Sequence, residues 1–276
     1  MSSVSPLQAA VYGVVQGLTE FLPISSTAHL RIVPALLSWD DPGAAFTAVI
    51  QLGTAAAVVL YFWRELLQIV VAWLRGLTDR SVRGGLEYQM GWYLILATIP
   101  VGVFGVLFSK QIETGARNLW LISIALIVMA SILFLAERVG KRDRAEEDIS
   151  TRDAIVVGSA QALALVPGVS RSGATITAGL FRGLDRVTAA RFSFLLSVPA
   201  VVASGLFEAR KIGEKGGPGM GVAVVATIIS FGVGLASIAW LIRYISRHST
   251  FVFIYYRIGL GVLLIALLSG GVISSR

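Results

Sequence analysis

The chain has no cysteine, which excludes disulfides, thiol catalysis and thiolate metal sites. It is also poor in charge. Only 14% of its 276 residues are charged and 55% are hydrophobic, whereas a soluble domain carries roughly a quarter charged residues. The solvent for most of its surface is therefore lipid. The apolar runs lack the alternation of polar and apolar residues that marks a transmembrane β-barrel, so that class is excluded too. No basic stretch precedes the first apolar segment, and Glu20 interrupts it, so the N-terminus is expected to belong to the fold and not to a cleaved signal peptide. The net charge of +7 comes without any aromatic-basic binding module, and no nucleic-acid partner is expected.

What is present is helical and membrane-sized. Residues 91–108, 119–136, 221–242 and 251–268 are apolar runs approaching the ~20 residues a helix needs to cross a hydrocarbon core. The chain also repeats itself. Residues 16–28 (QGLTEFLPISSTA) align without gaps on 161–173 (QALALVPGVSRSG), with apolar, small and hydroxyl positions in step. Further on, 46–61 resembles 192–207, and Ala97-Thr98-Ile99 resembles Ala226-Thr227-Ile228. Each half reads as one helical hairpin broken by Pro and Ser, followed by three spans, drawn at 45–73, 89–108 and 119–136, then 190–207, 220–242 and 251–268. The expected fold is an all-α polytopic membrane protein built from two inverted-topology repeats. It forms a single integral membrane domain over 1–276, with repeat one at about 6–137, a loop at about 138–151 and repeat two at about 152–272.

The broken segments, with Pro23 before Ser25-Ser26-Thr27 and Pro167-Gly168 before Ser170-Arg171-Ser172, would strand polar groups in lipid if they spanned the bilayer. Such backbone survives at membrane depth only inside protein or lining a wet cavity. If both segments re-enter, each half crosses three times and the second half is inverted. Charge sets the orientation. Arg75, Arg80, Arg83, Arg138, Lys141, Arg142, Arg144, Arg152, Arg182, Arg186, Arg191, Arg243 and Arg247 fall on one side, and only Lys110, Arg117, Arg210, Lys211, Lys215 and Arg276 on the other. The first group marks the cytoplasm, both termini lie outside, and the two tips meet near the midplane.

Ionisable groups inside a membrane are functional by default, which selects Glu20, His29 and Arg171; Arg31 and Arg257 read as snorkelling side chains near helix ends. Gln16 and Glu20 are one turn apart, as are Ser26 and His29, so the first hairpin offers oxygens, a hydroxyl and an imidazole to one small volume. In the second, Ser170, Arg171, Ser172 and Gly173 place a guanidinium between hydroxyls at a helix start, which is anion-binding chemistry. A diphosphate held there could be attacked by Ser26 or by water, with His29 moving protons. A structural Glu20–Arg171 pair is the competing reading, and Ser25, Thr27 and Ser172 are equally suited to close helix packing. Arg64, Glu65 and residues 138–148 read as interfacial or solvated faces. The small-residue face of Gly232, Gly234 and Ala236 permits helix contacts, and a homodimer is compatible with it.

At these motifs the sequence resembles the undecaprenyl-diphosphate phosphatase family, the bacitracin-resistance phosphatases of bacterial inner membranes. That family carries a Glu/Gln-x-x-x-Glu stretch and Phe-Leu-Pro-x-Ser-Ser-Thr-x-His, here Gln16 to Glu20 and Phe21 to His29, and a Pro-Gly-x-Ser-Arg-Ser-Gly motif, here Pro167 to Gly173. The resemblance implies metal-assisted hydrolysis of a polyprenyl diphosphate lipid, undecaprenyl diphosphate, to the monophosphate carrier recycled for peptidoglycan synthesis, with bacitracin resistance as a consequence. It implies a multi-pass inner-membrane protein whose site opens to the periplasm. It implies a catalytic set of Glu20, Ser26, His29 and Arg171, substrate contacts from Gln16, Ser25, Thr27, Ser170, Ser172 and Gly173, and a divalent cation, Mg²⁺ or Ca²⁺, at Glu20 and Gln16. Gln16 stands where many relatives have Glu; its amide oxygen can ligate such a cation but brings no charge. The runner-up is an inverted-repeat transporter or flippase of prenyl phosphate lipids.

Overall fold

The computed structural model describes residues 4–108, 118–209 and 220–275. These form helices α1 (Pro6–Phe21), α2 (Ser26–Leu37), α3 (Gly43–Tyr61), α4 (Trp63–Thr78), α5 (Leu86–Leu107), α6 (Leu119–Val139), α7 (Thr151–Ala162), α8 (Arg171–Phe181), α9 (Arg186–Ala209), α10 (Met220–Ile245) and α11 (Phe251–Ser269). The two broken segments are the hairpins α1–α2 and α7–α8. Ser5 opens α1 with a reciprocal capping box to Gln8 and Pro6 in the first turn, and Pro23 follows its last turn because proline cannot continue the ladder.

Four helices are long and apolar enough to cross a bilayer, within Leu86–Leu107, Leu119–Val139, Gly221–Ile245 and Phe251–Ser269. The expected single span 45–73 is instead two helices, bent by 75° at Phe62. The remaining expected span, 190–207, corresponds to α9, which is packed against α3, α5 and α8 and buries Phe192, Ser193, Phe194 and Ser197. The protein is a multi-pass membrane protein. The six basic residues assigned to the less charged side, Lys110, Arg117, Arg210, Lys211, Lys215 and Arg276, lie outside the described residues.

The repeat is visible in packing. α1 lies against α10, and its counterpart α7 lies against α5, the counterpart of α10. Both crossings are closed by a glycine: a Cβ on Gly13 would stand 2.6 Å from the Ala226 carbonyl oxygen, and one on the aligned Gly158 would stand 2.4 Å from that of Ala97. Ala97 and Ala226 are themselves aligned. Such approach is the small-residue contact that drives helix association where lipid gives no hydrophobic force. Gly234 serves inside the fold, against Ala57, Phe21 and Thr54, so only Gly232 and Ala236 of the small-residue face remain outward.

One end of the bundle is laced by charge. Glu137 accepts from Arg142, Arg186 and Thr250. Asp153 accepts from Arg144, Arg182 and Ser150, and Glu65 accepts from Arg191. In the segment 138–148, expected as an interfacial or solvated face, Arg138, Lys141, Asp143, Glu147 and Asp148 are exposed, but Arg144 is docked: it bonds through its backbone to Gly183 and Asp185 and through its guanidinium to Asp153 at 2.6 Å. Arg64 does stay peripheral, over the ring of Trp63.

Candidate active site

The hairpin tips are tied to each other. Arg257, expected to snorkel, is completely buried and donates to the carbonyls of Pro23 in the first tip (3.1 Å) and of Gly168 and Val169 in the second (both 3.0 Å). Pro23 and Gly168 are aligned in the repeat, so one guanidinium clamps the same point twice. Ser172 adds a direct bond to the Leu22 carbonyl at 3.0 Å. Arg31, the other side chain expected to snorkel, is buried and paired with Asp41 at 3.6 Å.

Both tips turn into their second helix through a serine at positive φ, Ser25 at 78° and Ser170 at 71°, a region that costs a non-glycine residue of order 1–3 kcal/mol and survives where surroundings enforce it. Each serine caps its helix, Ser25 accepting from the Ala28 amide and Ser170 from the Gly173 amide. Each also pairs with the hydroxyl two residues on, Ser25 with Thr27 at 3.1 Å and Ser170 with Ser172 at 3.2 Å. The matched geometry aims the N-termini of α2 and α8, with their unpaired first-turn N–H groups, at one space.

That space is a cavity of about 190 Å³ lined by Glu20, Ser25, Ser26, Thr27, Gln51, Val101, Gln161, Ala164, Leu165, Ser170, Arg171 and Ala200. Glu20 is its centre of charge. Its Oε1 accepts from Arg171 at 2.6 Å and Gln51 at 3.3 Å; its Oε2 accepts from Ser26 at 2.6 Å and Gln16 at 2.9 Å. The Glu20–Arg171 pair weighed from sequence exists, on the cavity wall. Thus α1, α2, α3 and α8 each contribute a group to one carboxylate.

Not every expected residue faces the cavity. Gln16 stands behind Glu20, its amide also reaching Thr54 at 3.4 Å. Ser172 and Gly173 hold the tips together, since a Cβ on Gly173 would meet Arg257 at 2.7 Å. His29 is not brought to Ser26. Its Nδ1 is 2.7 Å from the Ser25 carbonyl and its Nε2 is 2.7 Å from the Tyr256 hydroxyl. A carbonyl only accepts, so Nδ1 carries a proton, and Nε2 is occupied by the Tyr256 hydroxyl. One helical turn brings two residues to the same face, but the imidazole extends away from the Ser26 hydroxyl towards α11.

Residues 9–263 match the family described as bacitracin resistance protein BacA. The chain belongs to the BacA family. Relatives named undecaprenyl-diphosphatase include one from Nocardia farcinica, 48% identical over 99% of both chains. Another, from Chloroherpeton thalassium, is 52% identical over 96% of this chain and 97% of its own, and one from Mycolicibacterium smegmatis is 50% identical over 98% and 99%.

In this BacA-family chain the donor set limits what a metal could find. Among the described residues no group of three or more His, Cys, Asp or Glu is placed to hold an ion. Glu20 is the one carboxylate lining the cavity, beside the amides of Gln51 and Gln161. One carboxylate with amide, water and phosphate oxygens suits a hard cation that arrives with substrate, and Mg²⁺ typically binds that way. Gln16 stands behind Glu20 and outside the cavity lining, so it does not suit the ligand role expected of it. Three residues at or beside the site were missed from sequence: Gln51, Gln161 and Arg257. Each is a polar side chain interrupting an apolar run, and Gln161 is also the aligned mate of Gln16.

Proposed function

We propose that this chain hydrolyses undecaprenyl diphosphate to undecaprenyl phosphate and inorganic phosphate, regenerating the lipid carrier for peptidoglycan synthesis and so opposing bacitracin. The observation that carries the reading is the Glu20 carboxylate, shared by Arg171 of one tip and Ser26 of the other on the wall of the cavity, in a chain half identical to diphosphatases over nearly its full length. The outer phosphate enters between the N-termini of α2 and α8. Their free N–H groups and the Arg171 guanidinium donate to its oxygens, and Arg171 then divides its fork between Glu20 and phosphate.

Attack on the outer phosphorus comes from the Ser26 hydroxyl, or from water in its place, with the proton passing to Glu20. The bond from that phosphorus to the bridging oxygen breaks, and the prenyl monophosphate leaves with the electron pair. On the serine route, water then cleaves the phosphoserine, freeing inorganic phosphate and restoring the hydroxyl. His29 acts as a positioning residue, bracing the Ser25 carbonyl and hence the strained turn that presents Ser26. A divalent cation bound with substrate would be held by Glu20 and the Gln51 amide oxygen and would neutralise phosphate charge.

The prenyl chain lies in an apolar groove of about 520 Å³ between α4, α5 and α9. Thr98, Ile99, Val198 and Pro199 of that groove are followed along α5 and α9 by the cavity residues Val101 and Ala200. The thirteen-residue basic side faces the cytoplasm and both termini face the periplasm. The second repeat is inverted on the first, and the cavity opens to the periplasm. The exchanged helix partners of the two hairpins support that topology.

The comparisons lend the transporter reading no support. Detergent-solubilised protein should release inorganic phosphate from undecaprenyl diphosphate in a manner dependent on Mg²⁺ or Ca²⁺, since hydrolysis needs no sealed vesicle. Absence of phosphate release, together with movement of prenyl phosphate across liposomes, would overturn the reading.

A further inference from the structure

The two hairpins carry the same glutamine, Gln16 in α1 and Gln161 in α7, at aligned positions. Gln16 is satisfied: its amide donates to Glu20 and to Thr54. At the positions aligned with those partners the second repeat has Leu165 and Ala200. Neither can bond an amide, and both line the cavity. Gln161 is consequently orphaned. It is completely buried, it lines the cavity, and neither its Nε2 nor its Oε1 has a hydrogen-bond partner.

A buried amide left unpaired in this way destabilises the free protein, and native folds retain one chiefly where a ligand or ordered water completes it. Segment 161–165 otherwise brings only Ala164 and Leu165 to the lining, so Gln161 is the polar side chain it offers the cavity. We infer that Gln161 is a substrate-binding residue whose amide N–H groups donate to a phosphate oxygen in this cavity. This rests on the hydrolytic reading of the site. It divides the labour between repeats: the first glutamine holds the carboxylate, and the second, freed of equivalent partners, holds the phosphate. The amide is also neutral, so it adds a donor to a cavity where Glu20 already repels the anion.

The test is Gln161→Met, close in volume, with Gln161→Glu as a second variant, each purified in detergent beside wild type. Three quantities are measured: phosphate release from undecaprenyl diphosphate, thermal midpoint without ligand, and the shift of that midpoint by inorganic pyrophosphate. Hydrogen bonds to charged groups predict a roughly ten- to hundredfold loss of kcat/KM for Gln161→Met, with its midpoint equal to or above wild type and a smaller pyrophosphate shift. Gln161→Glu should lose more, because a second carboxylate faces the phosphate. Wild-type kcat/KM in Gln161→Met would overturn the inference while leaving hydrolysis standing, and would mean the amide meets water only. A marked fall in its midpoint would overturn it as well, by revealing a partner within the protein. Absence of phosphate release from wild type would instead remove the hydrolytic reading itself.

Discussion

Two buried carboxylates in this protein are held by arginine, with opposite outcomes. Asp153, in the first turn of α7, receives both Arg144 and Arg182 along with Ser150. Two guanidinium charges and a hydroxyl against one carboxylate leave it nothing further to bind, and it lines no described cavity. Its burial opposes ionisation, but the hydrogen bonds from Arg144, Ser150 and Arg182 outweigh that and hold its pKa well below the usual carboxylate range. Glu20 has one arginine and three neutral donors, and a cavity on its open side. A saturated carboxylate is architecture, whereas one with a partner that can be shared, a hydroxyl to deprotonate and room for an anion is equipped for chemistry.

The largest effect that can break this comparison is loss of turnover at Glu20. Glu20→Gln keeps the volume and removes the proton acceptor, and Arg171→Ala removes the phosphate fork. Each should lower kcat by about a thousandfold or more, as removal of one preorganised electrostatic group does elsewhere, with the protein still eluting as a folded species from size exclusion in detergent. Rates near wild type for either would return the pair to a purely structural role. Asp153→Asn should do the reverse. Its arginines are 26% and 30% exposed at the side chain and regain some hydration, so we expect about 2 kcal/mol of lost stability, less than the roughly 3–5 kcal/mol of a fully buried broken pair. That is a fall of about 4–8 °C in thermal midpoint, with kcat/KM unchanged. A collapse of kcat/KM without a fall in midpoint would erase the distinction.

The acid dependence of stability follows from the same residue and is smaller over accessible pH. The folded pKa of Asp153 lies below its unfolded value, so its contribution is complete above the ordinary aspartate value of about 3.9 and is lost as pH falls through the folded value. Between about pH 5 and 3 the wild type should therefore lose more of its thermal midpoint than Asp153→Asn does. Parallel loss in the two proteins would show that Asp153 is not the group responsible.

The Glu20–Arg171 contact was legible in the sequence because a buried charge has few innocent explanations in an apolar run, and because the repeat marked both breaks. Glu20, Ser25, Ser26, Ser170 and Arg171 do line one cavity. What stayed hidden depends on tertiary direction. The 75° bend at Phe62 has no proline or glycine to announce it, since Tyr61, Phe62 and Trp63 continue the apolar run. Spacing put His29 one turn from Ser26 but could not say that its ring leaves toward Tyr256. Arg257 looked like a snorkelling side chain because its three carbonyl partners come from segments 88 to 234 residues away. Arg144 looked solvated for the same reason, its partner Asp153 being fixed only once α7 folds against the 138–148 segment.

The cavity differs from the saturated end of the molecule in one more respect: α5 and α9, which line it, also line an apolar groove. Filling that groove should sharpen the contrast with the least disturbance of chemistry. Ile95 lines it on α5, and Ile95→Trp places a bulky ring where the prenyl chain would lie. Lipid tails are as apolar as the groove, so moving the chain from groove to detergent or bilayer forfeits packing contacts and no hydrophobic burial. The expected effect is therefore only about threefold in KM for undecaprenyl diphosphate. A short-chain prenyl diphosphate that does not reach the groove should be hydrolysed at the wild-type rate. An equal rise in KM for both substrates would mean that the substitution disturbs the cavity and that the tail lies elsewhere.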